Sequence, residues 1–279
     1  MRKEKVRATD YTNMDRPINR SSQYFDIFKH RFLELMKISL LQTVFNMPLI
    51  VDIVLFYVAL RNATNLNSLM TIFLIDGGAL IIALPFTYVG MMGSFYCLKQ
   101  LTFGDGEFAS SSFFKGLLEE WKKGALIGFL QGISASIAVI GYFFSRYYLS
   151  QFDNIIAGFG IAISIIQGIV MLIVSFYTVS QSLIYTNRLR DTYKNSFIMT
   201  LIRFPYNLLF VIIYPGIIIA LFCIMEITMF VGVGLLVFFS VFGHLIWMEN
   251  TLVSFDKFIN KENHPEIYRK GLREVIKEE

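Results

Sequence analysis

The stretch Phe103–Gly132, FGDGEFASSSFFKGLLEEWKKGALIGFLQG, decides the fold. It holds a Gly-Asp-Gly turn, a serine-rich helix start, an amphipathic segment and the beginning of a long apolar run. From Ser112 to Lys123, helical spacing puts Phe113, Phe114, Leu117, Leu118 and Trp121 on one face. Lys115, Glu119, Glu120, Lys122 and Lys123 take the rest. A short helix with that pattern lies in a membrane interface with its apolar side down. Gly104-Asp105-Gly106 is read as a turn, not as a phosphate cradle.

The rest of the chain fits a membrane protein. Of 279 residues, 55% are hydrophobic and 16% charged, with a mean hydropathy of +0.56. A soluble domain carries roughly 25% charged residues. Several apolar runs reach the ~20 residues that cross a bilayer core of about 30 Å. The expected fold is all-α, a polytopic bundle of six transmembrane helices with short amphipathic interfacial helices. Residues 1–24 are expected to be a disordered cytoplasmic tail, 25–256 the transmembrane domain, and 257–279 a charged cytoplasmic tail.

The spans follow in order. The first runs from about Ile38 to Leu60, with Pro48 and Asp52 inside. The second, from about Leu69 to Leu98, is long enough to be tilted or broken, most cheaply at Asp76-Gly77-Gly78 or Pro85. The third and fourth are Gly124 to about Tyr147 and about Ile155 to Val179, joined around Ser150–Asp153. Pro205 opens the fifth, as proline suits a helix start. Pro205–Trp247 is 43 residues of nearly unbroken apolar sequence, about 65 Å of helix, so it must contain two spans. Glu226 marks the turn between them. Lys and Arg gather in the N-terminal segment, in the loops after spans two and four, and in the C-terminal tail. That bias puts both termini in the cytoplasm of a cell membrane.

A threefold repeat is also expected. Phe28, Phe32, Leu33 and Met36 align with Phe113, Leu117, Leu118 and Trp121, and these with Phe197, Leu201, Ile202 and Pro205, at offsets of 85 and 84 residues. Each set precedes two spans.

These residues carry a resemblance to a known family. Phe103–Leu130, together with FDIFKHRFLELMKISLLQTVFNMPL at Phe25–Leu49 and FDKFINKENHPEIYRKGL at Phe255–Leu272, resembles the YesL family of bacterial membrane proteins. The segment Ser68–Leu84 departs from that family by lengthening the second span. The resemblance implies a cell-membrane protein linked to carbohydrate uptake. It supplies no catalytic residues, because the family's activity is not established.

Ionisable groups inside hydrocarbon cost several kcal/mol and mark candidate sites. Asp52 and Asp76 both fall roughly 10–12 Å below the outer surface of the first hairpin. They form a candidate proton or cation site, or pair with Arg61 or Arg146. His244 is a candidate relay, more ordinarily a helix–helix hydrogen bond, and Gln131, Gln167, Gln181 and Glu249 are read the same way. Gly90 with Gly93, Gly158 with Gly160 and Gly232 with Gly234 are read as close-packing positions. Phe113, Phe114, Lys115, Trp121, Lys122 and Lys123 form the candidate interfacial or partner-docking surface. Cys97 and Cys223 fall near opposite faces, so no disulfide is expected. Asn62-Ala63-Thr64 is a glycosylation sequon only in a eukaryotic secretory pathway.

No P-loop, HExxH or GxSxG motif and no Cys/His set with metal-ligand spacing occurs in the sequence. The reading is therefore a non-enzymatic protein without a cofactor. Its partners are the lipid bilayer and an ABC transporter permease or another membrane protein, not nucleic acid. Accessory or scaffold component is the leading function. The alternative is a small-solute or ion transporter using Asp52 and Asp76. A transporter would line a continuous polar path with those acids and Gln131, Gln167 or His244. A scaffold would be dry and glycine-packed.

Overall fold

The computed structural model describes residues 16–104, 109–152, 155–218 and 226–273, and among them no strand occurs. Eight helices are named here: α1 Arg20–His30, α2 Phe32–Asn62, α3 Leu66–Phe103, α4 Ala109–Phe152, α5 Ile155–Ile184, α6 Leu189–Ile202, α7 Phe204–Val211 and α8 Glu226–Phe255. A π-helical turn, Ile212–Gly216, continues α7, and another, Asp256–Asn260, continues α8. Five helices are long and apolar enough to cross a membrane, and six if the bent pair Leu189–Ile202 and Phe204–Gly216 forms one span. This is a multi-pass helical membrane bundle. Bulky side chains such as Val51, Leu55, Ile75, Ile82, Phe159 and Ile163 point outward, where lipid takes the place of water.

Local sequence sets the helix ends. Asn19 and Asn65 each accept the backbone N–H three residues on, and Ser22 and Ser68 reach back to the cap. These reciprocal boxes start α1 and α3. Gly104 ends α3 at φ 78°, a left-handed conformation that glycine adopts without a Cβ penalty.

Helix α3 lies at the centre and touches α1, α2, α4, α5 and α8. It runs 38 residues through Asp76-Gly77-Gly78 and Pro85 as one helix, so of the two expectations, tilted or broken, the break does not occur. The reason is α4, which packs along it antiparallel. A methyl group at Gly124 would lie 3.0 Å from the Tyr88 carbonyl oxygen. At Gly128 it would lie 2.6 Å from the Leu84 carbonyl oxygen and from Pro85 Cα, and at Gly132 2.8 Å from Ile81 Cα. Ser136, one turn on, donates its hydroxyl to the Gly77 carbonyl. Small residues at every fourth position let two membrane helices meet backbone to backbone. The core then continues through Met92, Phe95 and Leu98 of α3 and Leu245, Trp247 and Met248 of α8. Trp247 stacks on Phe176 of α5 with ring centroids 4.6 Å apart.

The expected separate helix at Ser112–Lys123 is not one. These residues are the first turns of the 44-residue α4. Nothing interrupts the helix at Lys123-Gly124. At the corresponding joints, Arg31 leaves helical geometry between α1 and α2, and the chain bends by 93° between α6 and the segment beginning at Phe204. The three matched sets also differ in setting: Phe113 is fully buried, whereas Phe28 and Phe197 are exposed. Three interchangeable copies are therefore not what the joints look like. The expected turn residues Asp105 and Gly106 lie outside the described residues, as do Asp153 and Cys223; Cys97 is buried.

Polar side chains inside the bundle hold the 93° bend. Tyr177 donates to Asn207 Oδ1 at 3.0 Å and shares a 2.8 Å hydrogen bond with Ser254. Asn250 donates to the same Asn207 oxygen at 3.0 Å, and Arg203 Nη1 reaches Ser254 Oγ at 2.7 Å. Asn207 is fully buried. Replacing it with leucine leaves Tyr177 and Asn250 without their common acceptor. Each interhelical bond in a membrane is worth roughly 0.6–2 kcal/mol. A loss of about 2 kcal/mol is expected in unfolding of the detergent-solubilised protein, whereas Asn67→Leu, at an exposed position, is expected to change little.

Candidate functional site

A cluster of buried polar side chains joins α1 to the segment that follows α8. The N-terminal boundary expected at residue 24 moves: α1 starts at Arg20, and Arg20 and Gln23 are buried. The C-terminal segment, expected as a tail from residue 257, folds back onto α1. Arg20 Nη2 meets Asp256 Oδ2 at 2.9 Å, with the two side chains 4% and 12% exposed. Arg20 also donates to Gln23 Oε1 at 2.7 Å and to the Lys270 carbonyl at 3.1 Å. Gln23 donates to the Thr102 carbonyl at 2.6 Å, which ties α1 to the end of α3. Asn260 donates to Asp256 Oδ1 at 2.8 Å and accepts from the Tyr185 hydroxyl. Burial, and next the charge of Asp256, hold the Tyr185 phenol above its ordinary range, so it serves as a neutral donor.

Glu249 lies on α8, two turns before Asp256. It was expected to bridge helices by a hydrogen bond. Instead it is 5% exposed and neither carboxylate oxygen has a partner among the described residues. His244 does follow the bridging expectation. It is buried, its Nδ1 lies 3.3 Å from Ser94 Oγ of α3, and Phe95 and Phe176 pack around it. Gln167 donates to the Ser134 carbonyl and hydroxyl at 3.1 Å, and Gln181 accepts from Ser196 at 3.3 Å. Gln131 is buried.

Asp52 lies on α2 and Asp76 on α3, the two helices of the first hairpin, which pack against each other. Both acids are half-buried, and Asp52 Oδ2 is enclosed without a hydrogen-bond partner among the described residues. Arg61 lies over the Tyr57 ring, 5.3 Å from its centroid. Along α3, Asp76 stands 18 residues from Ser94, the partner of His244, which is about 27 Å of helix. The acids and the histidine therefore do not form one site.

The proposed docking surface divides. Phe113 turns inward against Gly93 and Phe45. Phe114, Leu118 and Trp121 remain exposed. Lys115 lies 5.8 Å over the Tyr96 ring, Lys122 lies 5.7 Å over Trp121, and Lys123 pairs with Glu120 at 2.8 Å.

Two cavities open at the terminal end. One, of about 130 Å³, lies between α1 and the end of α3 and is lined by Arg16, Asp26, His30, Arg31 and Gln100 among others. The other, of about 210 Å³, lies between the end of α5, α6 and the C-terminal segment. Among the described residues no group of three His, Cys, Asp or Glu side chains is placed to hold a metal ion. Comparison with protein-family models, curated proteins and solved structures gives no match.

Sequence reasoning did not single out Arg20, Asp256, Tyr177, Asn207 or Asn250, because their partners are remote in the chain. It also passed over Gly124, Gly128 and Gly132. Their signal was present as a four-residue spacing.

Proposed function

We propose that this chain is a non-enzymatic accessory or scaffold subunit of a cell-membrane assembly, with both termini in the cytoplasm. The observation that supports this reading most is the locked terminal platform. The buried Arg20–Asp256 pair fastens α1 and the C-terminal segment to the ends of α3 and α8, giving a shaped polar surface on an otherwise apolar bundle. The backbone contact of α3 with α4 favours the same reading, since it leaves no room for a solute path between them. Lys and Arg at this end match the positive-inside bias, and they favour contact with anionic lipid. The role in carbohydrate uptake, with an ABC transporter permease as partner, rests on the resemblance to the YesL family alone.

Affinity purification of the full chain from its native membrane tests the proposal. Recovery of a stoichiometric membrane partner supports it. Recovery of none, with solute movement in vesicles carrying the chain alone, overturns it. Labelling of either terminus from outside the cell overturns the orientation.

A second reading is favoured by one observation, the half-buried carboxylates of Asp52 and Asp76 on the first hairpin, of which Asp52 Oδ2 has no hydrogen-bond partner among the described residues. If the chain is a transporter working through them, Asp52→Asn and Asp76→Asn each reduce transport at least tenfold with normal expression. Full growth complementation by both variants is the outcome expected for a scaffold.

A further inference from the structure

The 210 Å³ cleft differs in chemistry from the surface around it. Gln181 and Tyr185 from the end of α5 form its floor, both buried. Asn187, Asn195 and Asn263 line its walls, with His264 beside Tyr185 at a ring-centroid distance of 5.0 Å. Four primary amides thus converge on one small space from three chain segments. The neighbouring cations Arg188, Lys194 and Lys261 and the acid Glu262 are not among the lining residues.

The amides keep hydrogen-bonding capacity in reserve. The side chains of Asn187 and Asn195 have no partner among the described residues. Asn263 uses its NH₂ on the Ile259 carbonyl, at 3.3 Å, and keeps its oxygen. Gln181 uses its oxygen on Ser196 and keeps its NH₂. Gln181 is buried, Asn195 half-buried, and Asn187 and Asn263 exposed at the mouth, and each amide offers donors and an acceptor. Such a set matches adjacent hydroxyl groups, which also donate and accept. The imidazole on the lining, His264, already faces the Glu266 carboxylate at 3.3 Å, and the other lining side chains carry no formal charge. The facing Tyr185 and His264 rings add a flat wall for C–H groups. At about 30 Å³ per water, the cleft holds roughly seven water-sized groups, too few for a drug-sized ligand.

We propose that this cleft binds a small uncharged polyol, from glycerol to a single monosaccharide. The inference stands on the cleft's own lining and does not require the docking role, since a chain without any membrane partner would still bind.

The test uses the full chain in phosphatidylcholine–phosphatidylglycerol nanodiscs, which avoids sugar-headed detergents. Glycerol, glucose, inorganic phosphate and tetramethylammonium are compared by saturation-transfer NMR. Glycerol or glucose is expected to bind with a dissociation constant on the order of 1 mM. Asn195→Leu and Asn263→Leu are each expected to weaken that binding roughly five- to tenfold, as loss of a hydrogen bond does. Asn67→Leu, at the far end of the bundle, should leave it unchanged. Ser196→Ala removes the group that holds Gln181 and is expected to weaken binding less than either leucine variant. No transfer to either polyol overturns the proposal. So does stronger transfer to phosphate or tetramethylammonium, or equal polyol binding by the folded leucine variants.

Discussion

Replacing Gly128 with leucine is expected to prevent the bundle from assembling. Even the first carbon of a side chain there would lie 2.6 Å from the Leu84 carbonyl oxygen and 2.8 Å from the Pro85 nitrogen. Those atoms belong to backbone, which cannot swing aside as a side-chain tip does. Gly128→Ala already forces α3 and α4 apart along the whole ridge from Gly124 to Ser136. Overpacking of this kind costs about 1–3 kcal/mol, and lipid supplies no hydrophobic force to press the helices back together. The expected result is a clearly lower unfolding midpoint for Gly128→Ala and no monodisperse folded species for Gly128→Leu. Gly158→Ala is the matched control, because a methyl group there meets nothing within 4 Å. Equal stability of Gly128→Ala and Gly158→Ala would show that α3 and α4 are not in contact as described.

The second large effect is expected at the ion pair. Arg20→Ala leaves Asp256 without its ion-pair partner. Removing one partner of a buried pair costs roughly 3–5 kcal/mol. Both side chains here are mostly buried, and the lower end of that range suits the slight exposure of Asp256. The loss should appear as local opening, since α1 and the C-terminal segment sit at the edge of the bundle. About 3 kcal/mol corresponds to a rise of roughly a hundredfold in the open population, read as trypsin cleavage at Lys257 and Lys261. The double replacement Arg20→Met with Asp256→Leu removes both charges of the pair and is expected to restore much of the protection. Wild-type cleavage rates in Arg20→Ala would mean that the pair does not fasten the tail.

The lipid-facing helices were legible because hydrocarbon imposes length and composition on any helix that crosses it. The bend at Arg203 was legible through Pro205. Ser112–Lys123 was misjudged because an amphipathic face reads alike on a free surface helix and on the protruding turns of a long one. Phe113 shows the difference: its ring fills the space left by Gly93, which the local pattern does not encode. Among the glycines chosen for packing, Gly90 and Gly93 meet Phe45 and Phe113, but Gly158 and Gly234 face open space. A small residue permits approach, and only a neighbour makes use of it. The ridge of Gly124, Gly128 and Gly132 stood in the opening stretch itself, where the aromatic and basic residues outweighed it. Glu249 was read as a helix–helix bridge, but its oxygens have no partner among the described residues.

Arg20 and its carboxylate are separated by 236 positions. During synthesis the guanidinium leaves the ribosome long before Asp256 does. At about 5–20 residues per second, the interval is on the order of tens of seconds. For that time a cation destined for a closed interior stays in contact with water or lipid headgroups. The terminal platform is thus completed only after the spanning helices before Asp256 have been made. A truncated product inserts its helices but never closes it, and any quality-control protease that recognises a loose end meets one on every unfinished copy.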